Sequence, residues 1–222
     1  MIVLENLRKE YVSQNGREHT LVLNDINLTI SDGDFVSIVG PSGSGKSSLI
    51  NIIGTLDREY EGNYLIGGSS LTSLSDKKVS RFRQENIGFI FQNFKLLPQY
   101  TVAENIRFPS IYSKSGIASE EKIRNLLKIV DLADKYYEYP NNLSGGQQQR
   151  IAIARSMINN PSIIIADEPT GALDSKMSKK ILGILQDINH AGKTIIMVTH
   201  SEMAANVANK KIEIIDGILT EI

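Results

Sequence analysis

The segment Gly40-Pro41-Ser42-Gly43-Ser44-Gly45-Lys46-Ser47 constrains this chain more than any other. It fits the spacing G-x-x-x-x-G-K-[ST]. The apolar run Phe35-Val36-Ser37-Ile38-Val39 precedes it and reads as a buried strand, and a helical pattern over residues 48–56 follows. The residue types suit one chemistry. Glycines let successive backbone N–H groups converge on phosphate oxygens without Cβ clashes. The helix N-terminus adds partial positive charge. Lys46 would reach the β- and γ-phosphates of a nucleotide, and the Ser47 hydroxyl would ligate Mg²⁺. Ser48, at the head of the helix, belongs to the same expected nucleotide-binding set.

Other apolar runs recur with helical stretches between them. Residues 87–91, 163–165 and 194–199 read as strands of one parallel sheet covered on both faces. Apolar stripes mark helices over 119–131 (Ile123, Leu126, Leu127, Val130) and 179–190 (Ile181, Ile184, Leu185, Ile188). Asp174 or Ser175 would cap the second of these and Gly192 would end it. Residues 146–159 are helical, with Pro161 just beyond. Two regions depart from alternation. Residues 1–30 look β-rich, with Ser13-Gln14-Asn15-Gly16 as a hairpin loop, and residues 93–147 carry helices without a clear strand. Asp216-Gly217 predicts a terminal hairpin. The expected organisation is one domain over 1–222, with a core of 1–92 and 148–222 and a helical subdomain of 93–147. No repeat or linker is visible. The chain stops after the terminal hairpin, so no regulatory or membrane domain is expected within it.

Composition narrows the class. Lys plus Arg is 24 against 25 Asp plus Glu, a net charge of -1, so a general nucleic-acid binder is not expected. The absence of cysteine excludes disulfides and thiolate metal sites and suits a reducing compartment. No apolar run is long enough to span a bilayer, and no secretory signal opens the chain. A cytoplasmic globule is expected.

The run Ile163-Ile164-Ile165-Ala166-Asp167-Glu168 is an apolar strand ending in two carboxylates. Open α/β sheets bind ligands beyond the C-terminal ends of their strands. Asp167 would hold Mg²⁺ through its waters, and Glu168 would polarise an attacking water. Leu143-Ser144-Gly145-Gly146-Gln147 has the makings of a second anion nest, a Ser hydroxyl and glycine N–H groups at a helix start.

The phosphate loop, the LSGGQ segment, the hydrophobic-Asp-Glu strand and a later histidine follow one another as in the ATP-binding cassette (ABC) ATPases. The chain resembles that family over essentially its whole length. The resemblance implies an α/β fold of the ABC-type P-loop NTPase class, a RecA-like core sheet with an N-terminal antiparallel β part and an inserted helical subdomain. It implies a head-to-tail dimer, each ATP held between one phosphate loop and the other copy's Ser144, Gly145, Gly146 and Gln147. It places Tyr11 where an aromatic stacks on adenine. It places Gln92 beside Mg²⁺ or the attacking water, in contact with permease movements. Asp174 falls in a loop that crosses to the second copy, His200 at a histidine that meets the γ-phosphate, and Glu168 at the catalytic base. His19 and His190 have no such context and read as surface residues.

Gly88-Phe89-Ile90-Phe91-Gln92, Leu96-Leu97-Pro98, Glu104-Asn105, the run LSGGQQQR at 143–150 and ADEPTGALDS at 166–175 narrow the resemblance. They are most similar to ATPases of the macrolide-exporter, lipoprotein-release and bacitracin-resistance type, with the cell-division ATPase a close relative. That branch implies a separate integral membrane permease with a large extracytoplasmic domain. It implies a place on the inner face of the cell membrane, and room for an accessory envelope protein. The work would be export of a peptide, antibiotic or lipoprotein-like cargo, or mechanical control of an envelope enzyme without transport. Residues 58–64 depart from the branch by lacking a proline-containing turn, and residues 136–142 by their tyrosines. Phe94, Leu96, Leu97 and Tyr100 form an apolar cluster with two readings, a socket for a permease helix or the core of the helical insertion.

Overall fold

The computed structural model describes residues 1–13, 19–114 and 116–222. Residues 14–16 of the expected hairpin loop lie outside these. The strands on either side, β1 (Ile2–Val12) and β2 (His19–Ile30), pair antiparallel. β1 buries Ile2, Leu4, Leu7 and Lys9. Strict alternation would put Leu7 on the opposite face from Leu4. A register shift between them, with Asn6 at a positive φ, restores the inward direction. Two further strands, β4 (Glu61–Ile66) and β5 (Ser69–Ser70), extend the sheet in the order β2-β1-β4-β5.

The second sheet has six strands in the order β10-β9-β3-β8-β7-β6. β3 (Phe35–Val39), β6 (Ile87–Ile90), β7 (Ile163–Asp167), β8 (Thr194–Val198) and β9 (Lys210–Ile215) run parallel, and β10 (Ile218–Glu221) returns antiparallel. Asp216 and Gly217 both have positive φ, as the tight turn at that sequence requires. Period-2 alternation splits the buried side chains of the central strands between two cores. Val36, Ile38, Ile163, Ile165, Ile196 and Val198 face α1 (Lys46–Ile53) and the antiparallel sheet. Phe35, Ile164, Ala166, Ile195 and Met197 face a helical layer. That layer holds α3 (Val102–Arg107), α4 (Glu120–Ile129), α5 (Gly145–Ser156) and α6 (Ser175–His190). A short α7 (Glu202–Ala205) follows β8. Among the described residues no helix is long and apolar enough to cross a membrane.

β4, β5, α2 and α7 go beyond the sequence reading. β4 takes in part of the stretch 58–64 and pairs with β1. α2 (Asp76–Asn86) buries only Val79, so it carries no apolar stripe that periodicity could detect. α1 starts at Lys46 rather than 48, because Gly45 at φ +105 serves as its N-cap.

One close crossing fixes the two layers. A Cβ at Gly88 of β6 would lie 2.4 Å from the Ser156 carbonyl oxygen of α5. Gly88→Ala is therefore expected to lower the unfolding free energy by roughly 1–3 kcal/mol in urea titration. Unchanged stability would mean that α5 has room to retreat.

Candidate functional site

The parallel strands end together. Ile38 pairs with Val198, Val198 with Asp167, and Ala166 with Ile90. The residues just beyond these ends emerge at one edge of the sheet. There they surround a cavity of about 610 Å³ lined by Tyr11, residues of the phosphate loop, Gln92, Asp167, Glu168 and His200.

The loop is shaped by crowding. Gly40 has φ +146, and a Cβ there would sit 2.1 Å from the Ile214 carbonyl oxygen. Gly45 would bring its Cβ within 2.6 Å of the Val22 carbonyl oxygen. Ser42, Gly43, Ser47 and Ser48 reach the cavity wall. Gly40 and Pro41 instead give their carbonyls to the Lys46 ammonium, at 2.9 and 2.6 Å. The Ser44 hydroxyl is buried without a hydrogen-bond partner among the described residues. The backbone of Ser44 accepts from the Gly217 N–H at 3.3 Å, so the terminal hairpin braces the loop.

Glu168 has φ +47, a left-handed conformation that costs a non-glycine residue roughly 1–2 kcal/mol. Two backbone bonds hold it there, from its own N–H to Val198 O at 3.0 Å and from the Gly171 N–H to its carbonyl at 3.1 Å. The turn aims the carboxylate into the cavity. One of its oxygens is buried and unpartnered, 3.6 Å from Nε2 of the exposed His200.

The LSGGQ segment does not line this cavity. Ser144 caps α5 in a capping box: its hydroxyl accepts from the Gln147 N–H, and the Gln147 carboxamide oxygen accepts from the Ser144 N–H at 2.8 Å. The side chain of Gln147 is therefore spent on the cap. What the helix end presents outward is the exposed Ser144, while Gly145 is half-buried and Gly146 is buried. A Cβ on Gly146 would strike Met177 Cγ at 2.4 Å, whereas one on Gly145 would make only ordinary contacts with Phe94 and Leu173. Asp174 caps α6 by accepting from the Met177 N–H at 2.8 Å.

A sequence profile for ABC transporters matches residues 23–171. This chain belongs to the ABC transporter family. It is 49% identical over 219 residues to the macrolide export ATP-binding/permease protein MacB of Bdellovibrio bacteriovorus, matching 99% of this chain and spanning 33% of that protein. It is 46% identical over 218 residues to the uncharacterized ABC transporter ATP-binding protein YknY of Bacillus subtilis, covering 98% of this chain and 94% of the other. Among solved structures, it superposes on the cassette MJ0796 in a dimeric post-hydrolysis state bound to ADP and Pi. The TM-score there is 0.90 at 42% identity, over 100% of this chain and 98% of that one. A protein of that designation from Methanocaldococcus jannaschii is 45% identical to this cassette in sequence. The fold is the ATP-binding cassette fold.

The residues present fit a nucleotide and its metal. A buried Glu168 oxygen on the cavity wall has no hydrogen-bond partner among the described residues, and the glycine-lined loop leaves space at a helix start. Among the described residues no cluster of three or more His, Cys, Asp or Glu would hold a metal alone. Ser47 and Asp167, facing one cavity, suit a Mg²⁺ that keeps waters and arrives with phosphate oxygens.

Burial governs the electrostatics. It raises the carboxyls of Glu168 and Asp167 above the usual range, against the opposing pull of nearby His200 and Lys46. It lowers the Lys46 ammonium, against the pull of the two carboxylates. An acid whose folded pKa is raised binds its proton more tightly in the folded state. Stability is therefore lost as pH rises from the ordinary carboxylate range through the folded value. Glu168→Gln is expected to melt higher than the wild type at neutral pH, with the gap closing as the pH falls to that ordinary range. Thermal melts across pH check this, and a gap independent of pH would contradict it.

Beyond Gln92 the chain takes two successive left-handed residues, Phe94 and Lys95. Arg155 of α5 clasps both, donating to the Phe94 carbonyl at 2.6 Å and to the Lys95 carbonyl. Burial brings its guanidinium down to about 10. The expected apolar cluster divides here. Phe94 approaches Gly145, Leu96 packs on the core, and Tyr100 lies against Phe108. Only Leu97 of the four lines a neighbouring groove of about 940 Å³. Its aromatic wall comes from Phe89, Phe91, Phe108 and Tyr112. Asn105 anchors the rim, accepting from Leu97 N–H at 2.7 Å and donating to three carbonyls of residues 97–101. Sequence reasoning missed Val22 and Gly171 at the cavity wall. Val22 carries no signal, since it arrives from the antiparallel sheet. Gly171 belongs to the quoted run 166–175, and a Cβ there would press on the Gln92 amide at 3.0 Å.

Proposed function

We propose that the cassette binds ATP with Mg²⁺, pairs head to tail with a second copy, hydrolyses the ATP and drives a separate export-type membrane permease from the inner face of the membrane. One observation carries the reading. Tyr11, the phosphate loop, Gln92, Asp167, Glu168 and His200 share one cavity, while the outward-facing helix start at Ser144 lies elsewhere on the same chain. A second copy turned head to tail supplies the missing half, with Asp174 on the loop between them. The dimeric MJ0796 structure with ADP and Pi supports this pairing by similarity.

In the proposed reaction Tyr11 stacks on adenine and residues 40–47 hold the phosphates. Glu168 takes a proton from water as the oxygen attacks the γ-phosphorus in line, and the bond to the bridging oxygen of ADP breaks. A raised carboxyl pKa makes Glu168 the stronger proton acceptor in that step. Lys46 and the partner subunit's Ser144 stabilise charge on the transferring group. Ser47 and Asp167, with Gln92 beside them, would hold Mg²⁺, which would supply charge neutralisation to the phosphate oxygens. His200 positions the γ-phosphate and senses its loss.

The aromatic groove beside Gln92 receives a short permease helix. The export branch is supported by the MacB relatives, in which ATP-binding and permease parts share one name and this chain matches a third of the length. A separate permease chain is supported by YknY, matched over 94% of its length and named an ATP-binding protein.

Glu168→Gln is expected to keep ATP affinity, to lose about 10²-fold or more in turnover, and to accumulate as a dimer with ATP in size-exclusion chromatography. Normal turnover would remove Glu168 from the role of base. Phe108→Asp is expected to abolish co-purification with the permease from membranes while leaving the isolated cassette's ATPase rate unchanged. Capture of a partner with four membrane helices and a large outer domain supports the export branch. A five- or six-helix importer overturns it.

A further inference from the structure

Lys9 is 1% exposed, which is rare for a lysine. Its Nζ lies 3.1 Å from Oδ1 and 3.0 Å from Oδ2 of Asp57, and donates to the Glu59 carbonyl at 2.6 Å. The Glu59 carboxylate is 3.8 Å away. The same ammonium stands 4.6 Å from the centroid of the Tyr11 ring. The tyrosine is also held at its other end. Its hydroxyl is 3.3 Å from Ser48 Oγ and donates to Asp57 Oδ2 at 3.4 Å.

We propose that Lys9 is a positioning residue for nucleotide recognition, a buried cation fixed by Asp57 that holds the Tyr11 ring from behind and leaves its other face to the base. The inference rests on the reading of Tyr11 as the adenine platform and deepens it. Three points on the structure support it. Lys9 and Tyr11 are two residues apart on β1, across a register shift at Lys9/Glu10, and the ammonium meets the ring. One ring face is covered by the ammonium, and Tyr11 lines the nucleotide cavity. Asp57 touches both groups, and Ser48 links the hydroxyl to the head of α1, beside the phosphate loop. Ring tilt is then set by the cation and ring rotation by the hydroxyl, before any base arrives. A platform ordered in advance spares the ordering cost on binding.

The test separates base from phosphate. Affinities for Mg·ADP and for inorganic pyrophosphate with Mg²⁺ are measured on wild type, Lys9→Met, Tyr11→Ala and the double variant. The expected result is a loss of about three- to tenfold for ADP in Lys9→Met, pyrophosphate affinity unchanged, and no further loss when Lys9→Met is added to Tyr11→Ala. An equal loss for both ligands would make Lys9 a structural residue and overturn the inference. So would an ADP loss in Tyr11→Ala with none in Lys9→Met, which leaves the platform reading intact. Unchanged ADP binding in Tyr11→Ala would overturn the platform reading itself. If Lys9→Met does not fold, Asp57→Asn, at a side chain 19% exposed, loosens the same clamp. An ADP-selective loss there supports the proposal, and wild-type ADP affinity overturns it.

Discussion

A parallel strand can pair with its neighbour only after the chain has travelled back to the starting end of the sheet. Four strands in register therefore deliver four chain reversals to one edge. In this protein those reversals are the phosphate loop after β3, Gln92 beyond β6, Glu168 after β7 and His200 after β8. None of these residues is near another in sequence. Their meeting depends on pairings such as Ile38 with Val198 and Asp167 with Val198. A slip of one residue in β7 would turn Ile164 and Ala166 toward the wrong core and draw Glu168 out of the cavity. The hydrophobic alternation of four short strands thus fixes the site as firmly as any polar contact within it.

The edge is also where the two sheets meet. Gly217 donates to Ser44 O and accepts from the Asn24 N–H at 2.9 Å, and a Cβ on Gly217 would lie 2.6 Å from Val22 O. The last hairpin of the chain is wedged between β2 and the phosphate loop. The loop's shape is consequently a property of residues from both ends of the chain, and its glycines answer to backbone crowding as much as to phosphate.

Much of this was legible in the sequence because it lay in local patterns. The strands at 35–39, 163–165 and 194–199 and the stripe of α6 are read from periodicity, and the site residues stand directly after those strands. What escaped has a physical reason in each case. α2 is amphiphilic without a stripe, since only Val79 is buried. β4 exists because β1 offers it an edge, a long-range pairing with no local mark. Of Phe94, Leu96, Leu97 and Tyr100, read as a socket or as core, Leu97 lines the groove and Leu96 packs on the core, while left-handed backbone at 94 and 95 places Phe94 by Gly145 and Phe89, Phe91, Phe108 and Tyr112 make the aromatic wall. Gln147 is right for an anion nest by type, yet its carboxamide closes the cap of α5.

The contact between Gly146 and Met177 ties together two helix starts that a second copy would meet. Met177 carries the side chain that fills the space over Gly146, and its amide is the one that Asp174 caps. The beginnings of α5 and α6 therefore pack directly on each other. The residue that packs over the LSGGQ end is thus the one whose amide Asp174 caps. A larger side chain at residue 146 would have to push the Met177 side chain aside, at the foot of the helix that Asp174 caps.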